Sequence, residues 1–135
     1  MEESHTVFEW LEIKANTSDV YNLIGTEKFF ALTGADEINL DFREGGSFVL
    51  KFKGRGQISG IIREIIPYHR ISLAWNVTGF NRPDEINTEV LILMNTVKGT
   101  TISIEHSKIK NADGAEAKRK AWREILDNLK KLLES

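Results

Sequence analysis

From residue 37 onward, hydrophobic and polar positions alternate with a period of two. Ile38, Leu40 and Phe42 alternate with Glu37, Asn39 and Asp41, the pattern of a strand with one face buried. Glu44-Gly45-Gly46 makes a turn. Ser47–Lys53 then repeats the pattern with Phe48, Leu50 and Phe52, although Val49 is out of step. Gly54-Arg55-Gly56 turns the chain again, and Gln57–Ile66 reads as a long strand ended by Pro67. Arg70–Val77 sets Ile71, Leu73, Trp75 and Val77 on one face. Thr88–Asn95 and Thr100–His106 complete the set, joined by Val97-Lys98-Gly99. Consecutive strands with short turns predict an antiparallel meander.

The flanks read differently. A first strand is expected at Thr6–Lys14, followed by two short helices. Thr17 is placed to cap the first, with Val20, Leu23 and Ile24 on its apolar side; Thr26 is placed to cap the second, which carries Phe29, Phe30 and Leu32. Gly34 follows where a left-handed residue is wanted. At the other end, Asp113 and Glu116 have capping-box spacing. Beyond them Ala121, Trp122, Ile125, Leu126, Leu129, Leu132 and Leu133 recur at three- and four-residue steps, which predicts a long amphipathic helix. The expected order is strand, two helices, six strands, helix.

Width decides what such an order can build. Seven strands span roughly 30 Å, whereas one helix is about 10–12 Å across. A flat sheet cannot be covered by one helix, so the sheet must curl around it. Curling leaves room between the concave face and the helix, and such rooms are where apolar ligands bind.

The 135 residues suit one domain, residues 1–135. With no cysteine, disulfides, thiolate metal sites and cysteine nucleophiles are excluded. The start MEESHTVFEW has no apolar core of a signal peptide, and no apolar run reaches transmembrane length, so a cytoplasmic location without membrane insertion is expected. Net charge is −2, and residues 1–50 hold ten acidic against three basic residues. No stretch has the basic excess that nucleic acid demands. Lys118, Arg119 and Lys120 are the one basic cluster, expected on a solvated helix face.

The run LTGADEINLDFREGGSFVLKFKGRGQISGIIREIIPYHRISLAWN, then TEVLILMNTVKGTTISIEHS and a Trp-bearing terminal helix, resembles the activator of Hsp90 ATPase homologue family. That family lies within the START/Bet v 1-like superfamily. The markers are Gly45-Gly46 before a Phe strand, Gly60 and Glu64 before Pro67, Arg70-Ile71 leading to Trp75, and Thr100–His106. The resemblance covers about Val7 to Leu133. It implies a helix-grip α+β fold and a hydrophobic or aromatic ligand between sheet and long helix. It also implies an Hsp90-type chaperone as an alternative partner, and a polyketide cyclase or aromatase as a further activity of relatives. The separate N-terminal Hsp90-binding domain of the Hsp90 activator has no counterpart expected in this length.

Parity nominates the ligand-facing residues. Trp75 shares its face with Ile71 and Leu73 and reads equally as a stacking platform and as a core aromatic. His106 shares its face with Ile102 and Ile104; it reads as a donor or acid–base group, or as a core histidine satisfied by a carbonyl. The candidate set on the sheet is Phe48, Phe52, Leu73, Trp75, Ile92, Ile104 and His106. Phe29 and Phe30 join from the second short helix, Trp122 from the long helix, and Phe80 from the loop expected at Thr78–Asn87. Glu64, in an apolar strand, is either a buried carboxylate of functional interest or an exposed one paired with arginine. His5 and His69 lie far from His106 in sequence, so neither a metal nor a cofactor is expected. Gly54, Gly56 and Gly60 miss the spacing of a nucleotide loop and lack its strand–turn–helix setting; they read as points of sheet bending. Leu91 and Leu93 oppose Val90, Ile92 and Met94 in parity and hint at a dimer patch, so the expected state is monomer or homodimer. No catalytic set is legible.

Overall fold

The computed structural model describes residues 4–96 and 98–134. Val97, placed by the sequence in the last hairpin turn, and the first three residues lie outside them. The chain runs β1 (His5–Ile13), α1 (Thr17–Ile24), α2 (Glu27–Ala31), β2 (Glu37–Leu40), β3 (Ser47–Phe52), β4 (Gly56–Ile66), β5 (Arg70–Gly79), β6 (Glu85–Thr96), β7 (Thr100–Ile109) and α3 (Ala112–Glu134). The strands form one sheet in the order β1-β7-β6-β5-β4-β3-β2, every neighbouring pair antiparallel. This is the helix grip: first and last strands pair, and α3, about 34 Å long at 1.5 Å per residue, lies in the trough.

The period of two is what closes the core. Leu50, Ile62, Leu73, Ile92, Ile102 and Ile104 are fully buried, each contributing about 1.5–3 kcal/mol by leaving water. Bulges interrupt the β4–β5 register between Ile62 and Glu64 and the β5–β6 register between Trp75 and Val77, and bulges sharpen twist and curvature. At Gly60 a side chain would collide with the Ala74 carbonyl and sit 2.9 Å from the Phe48 ring, so only glycine lets β3, β4 and β5 approach there.

Several local expectations are corrected. The cap of α1 is Asn16, whose Oδ1 accepts from the Asp19 N–H at 2.9 Å; a residue earlier than Thr17, it has the extended backbone that a cap needs. Thr26 stands at the N-cap of α2 but makes no side-chain cap; its hydroxyl donates back to the Leu23 carbonyl instead. Asn111, not Asp113, closes the start of α3, accepting from the Gly114 N–H at 3.1 Å. The loop expected at Thr78–Asn87 shrinks to residues 80–84. β6 begins early because Asn87 takes a left-handed φ of 63° and donates its N–H to the Asn76 side chain.

Helix α3 also rotates differently from its sequence stripe. Gly114, Ala115, Lys118, Trp122, Ile125, Leu126 and Leu129 are buried, whereas Ala121 and Leu132 are exposed. A stripe of about 100° can hold one side of Trp122, not both, and Lys118 falls on the chosen side. Its burial contradicts the solvated face expected for it.

Candidate functional site

A file of aromatic rings occupies the trough. Phe29 packs on Phe30 (ring centroids 5.3 Å), Phe30 on Phe48 (5.7 Å), Phe48 on Trp75 (5.4 Å) and Trp75 on Trp122 (5.2 Å). These rings take up most of the space that the width argument left between sheet and helix. A cavity of about 160 Å³ survives at the end of the file.

Its walls come from five places. The inward positions of β3, β4 and β5 supply Phe52, Ile58, Trp75 and Val77. The β5–β6 loop supplies Phe80 and Arg82, and the β3–β4 turn supplies Arg55. Helix α3 supplies Ala117, Lys118, Ala121, Trp122 and Ile125, with Thr33 completing the rim. Phe80 reaches the site because its backbone is left-handed (φ 61°) and its ring lies over Gly56, where a Cβ would stand 2.6 Å from it. There it packs edge-on against Phe52 at 5.2 Å.

Of the candidates from the sequence, Phe52, Trp75, Phe80 and Trp122 come together on this wall. Phe48 and Phe30 stand behind Trp75 in the ring file, with Phe29 at its far end. Leu73, Ile92 and Ile104 are packed in the core away from the cavity. Glu64 is partly exposed and pairs with Arg70 at 2.9 Å, the exposed alternative of the two that the sequence left open.

His106 lies behind the two tryptophans and is fully buried. Trp122 donates its indole N–H to His106 Nδ1 at 3.0 Å, so Nδ1 carries no proton. The proton is then on Nε2, which faces the Thr88 hydroxyl at 2.8 Å. That hydroxyl spends its own proton on the Trp75 carbonyl, which leaves its lone pairs to accept from the histidine. The chain Trp122–His106–Thr88–Trp75 is complete, with every polar atom satisfied. Burial, and secondarily the charge of Lys118, lower the His106 pKa from 6.5 to about 3. A neutral ring with both nitrogens engaged fixes the orientation of Trp122 and has no free atom to offer the cavity.

Lys118 and Glu85 are the residues that the sequence reading missed. Lys118 Nζ meets Glu85 Oε1 at 2.5 Å, with both side chains more than nine-tenths buried. Burial lowers the lysine pKa, while the hydrogen bond and charge of Glu85 oppose that shift. Glu85 Oε2 has no hydrogen-bond partner among the described residues. Lys118 stands on the cavity wall, a charged group in a lining that is mostly apolar but also includes Arg55, Arg82 and Thr33. Its signal was present: position 118 lies three residues after Ala115 and four before Trp122. Glu85 gave none, because the left-handed Asn87 breaks the parity that could be counted back from Thr88.

The outer face holds a second apolar group. Phe8 and Trp10 are each 52% exposed. Across β7, Phe8 is aligned through Glu105 with Leu91, and Trp10 through Ser103 with Leu93. Both leucines are half-buried. Among the described residues no helix is long and apolar enough to cross a membrane, and no three His, Asp or Glu side chains converge as metal ligands.

Comparison with solved structures finds this architecture repeatedly. The Aha1 dimer from Colwellia psychrerythraea, known from a solution structure, superposes with a TM-score of 0.79 at 23% identity, covering 96% of each chain. An uncharacterized protein from Rhizobium leguminosarum gives 0.84 at 21% identity, covering 99% of this chain and 97% of that one. DynU16, a protein of the dynemicin biosynthetic locus, gives 0.79 at 15% identity; 96% of this chain matches 47% of that longer chain. At such identities the likeness is one of fold. No curated protein matches the sequence. The family model described as "Activator of Hsp90 ATPase homolog 1-like protein" matches residues 14–134. With nearly the whole length matched, the chain belongs to the activator of Hsp90 ATPase homolog 1-like family.

Proposed function

We propose that this protein binds a small aromatic or hydrophobic molecule in the cavity between Trp75, Trp122, Phe52 and Phe80. The observation that carries the reading is the cavity itself: about 160 Å³ lined largely by aromatic and aliphatic side chains, at the end of a trough otherwise closed by stacked rings. A dry cavity of ~150 Å³ holds one benzene-sized ring, so one ring of a guest fits inside and a second, fused ring would extend into the mouth. Trp75 and Trp122 offer ring faces and Lys118 offers a donor. The reading involves no chemistry on the guest, since the buried histidine has both nitrogens occupied.

Indole is a suitable neutral probe. Calorimetric titration is expected to give saturable binding. The Ala121→Trp variant, which fills the mouth from an exposed helix position, is expected to weaken it at least about tenfold through overpacking. Heat without saturation, or equal binding by the filled variant, would remove the reading.

A second reading is favoured by the outer face. Phe8, Trp10, Leu91 and Leu93 form an apolar group suited to a protein partner. Its support lies in the family, described by activation of the Hsp90 ATPase, and in the dimeric state of the Colwellia relative. Light scattering of the protein alone and mixed with the host's Hsp90 separates self-association from chaperone contact. Trp10→Ser is expected to abolish whichever complex forms. A monomer that ignores the chaperone at tens of micromolar sinks this second reading.

A further inference from the structure

The cavity wall contains three cationic side chains, Arg55, Arg82 and Lys118, and no carboxylate. Lys118 is already neutralised by Glu85. Arg55 and Arg82 are not: neither has a carboxylate partner among the described residues, and both are exposed at the rim. The Arg55 guanidinium lies over the Phe52 and Phe80 rings, 5.8 Å and 5.6 Å from their centroids. A cation–π contact at this distance holds the guanidinium beside the mouth without using its N–H donors. Arg82 is close enough to Lys118 to act on its titration, so the positive charges converge on one mouth. The concentration is local, because the chain as a whole carries −2.

Resting on the aromatic-site reading, we propose that the guest is an aromatic acid, its ring lying in the cavity against the wall that Trp75 and Trp122 form together and its carboxylate held at the rim by Arg55 and Arg82. The division of labour follows from the lining. Apolar and ring surface lies inside, where it accepts a flat hydrocarbon body. Unpaired guanidinium donors lie at the mouth, where a carboxylate keeps part of its hydration and still gains charge-assisted hydrogen bonds. A neutral guest of the same shape would leave the arginines facing water and gain nothing from them. A cationic guest would meet repulsion from both.

The test compares naphthalene-1-carboxylate with naphthalene-1-carboxamide, which has the same rings and no charge. Calorimetric titration of the wild-type protein at low ionic strength is expected to show the acid binding about tenfold or more tightly than the amide, in the range of a charged hydrogen bond. The gap is expected to narrow in high salt, because the rim is solvent-accessible. In the Arg55→Gln, Arg82→Gln double variant the gap between acid and amide is expected to close. Equal binding of acid and amide by the wild type would overturn the anion preference and leave the aromatic site standing. Persistence of the preference in the double variant would overturn its assignment to these two arginines. Binding of neither compound while indole still binds would overturn the aromatic-acid proposal alone, and loss of indole binding as well would end both readings.

Discussion

Replacing Trp122 with alanine is expected to lower the unfolding free energy by about 3–5 kcal/mol, the range for a buried large aromatic side chain. Three losses coincide. The ring contact with Trp75 at 5.2 Å disappears. The packing beneath α3 opens into the adjoining cavity. His106 Nδ1 loses its donor and becomes an orphaned buried acceptor. Trp122→Phe narrows the terms, since it keeps one aromatic ring but removes the N–H together with the five-membered part of the indole. About 1–2 kcal/mol is expected for that variant. Urea unfolding monitored by far-UV circular dichroism measures both. A loss below about 1 kcal/mol for the alanine variant would show that Trp122 is a passive lining residue.

Acid is expected to destabilise the wild-type protein earlier than its carboxylates alone would. His106 has a folded pKa of about 3, below its ordinary 6.5. Below pH 6.5 the unfolded chain takes up a proton at this position that the folded chain refuses, so the unfolded state gains. The stability is therefore fully present above pH 6.5 and is lost at about 1.4 kcal/mol per pH unit as pH falls toward 3. Across the whole window this amounts to roughly 4–5 kcal/mol. The upper part, between pH 6.5 and 5, is the cleanest to measure, because carboxylates titrate mainly below it. Urea midpoints across that range should fall by an amount equal to about 2 kcal/mol. Imidazole nitrogen spectra should show the proton on Nε2 and no titration above pH 4. A ring that titrates near 6.5, or a proton on Nδ1, would contradict the hydrogen-bond chain.

Both predictions concern residues that the sequence singled out, yet their roles came from different sources. Parity put Trp75 and His106 on the inner face, and helical spacing put Trp122 on the inner side of α3. Those assignments follow from local geometry, because side-chain direction repeats every two residues in a strand and every 3.6 in a helix. That Trp122 meets His106, and that Thr88 completes the chain, required β6, β7 and α3 to be set beside one another. The same holds for Lys118. Within a charged run, Lys118-Arg119-Lys120, composition argues for solvent, and only the partner on β6 explains why the first of the three turns inward. A lysine enters a core when a carboxylate awaits it there, and Glu85 is 33 residues distant in sequence.

The cavity shows the same division more sharply. Strand count against helix width already required a curved sheet and an enclosed trough. How much of that trough stays empty depended on which rings meet across it. Phe29, Phe30, Phe48, Trp75 and Trp122 interlock from α2 to α3 and take up most of the space. The remaining cavity lies beyond them, bounded by Phe52 and Phe80. Position of Phe80 in turn rests on a left-handed backbone and on an absent Cβ at Gly56.

The amino-acid sequence by itself determined the order of the elements, the antiparallel meander, the inner face of most strands, the helix grip and the family. The order, the meander and the inner faces follow from periodicities and turn residues that act over a few positions; the helix grip and the family follow from a resemblance that runs along nearly the whole chain. Tertiary structure alone decided that Lys118 and not Ala121 lies on the buried edge of α3, that a buried ion pair joins α3 to β6, that the histidine is sealed, and where the open volume lies. Those outcomes depend on contacts between residues tens of positions apart, whose packing and desolvation are set only when the sheet closes on the helix.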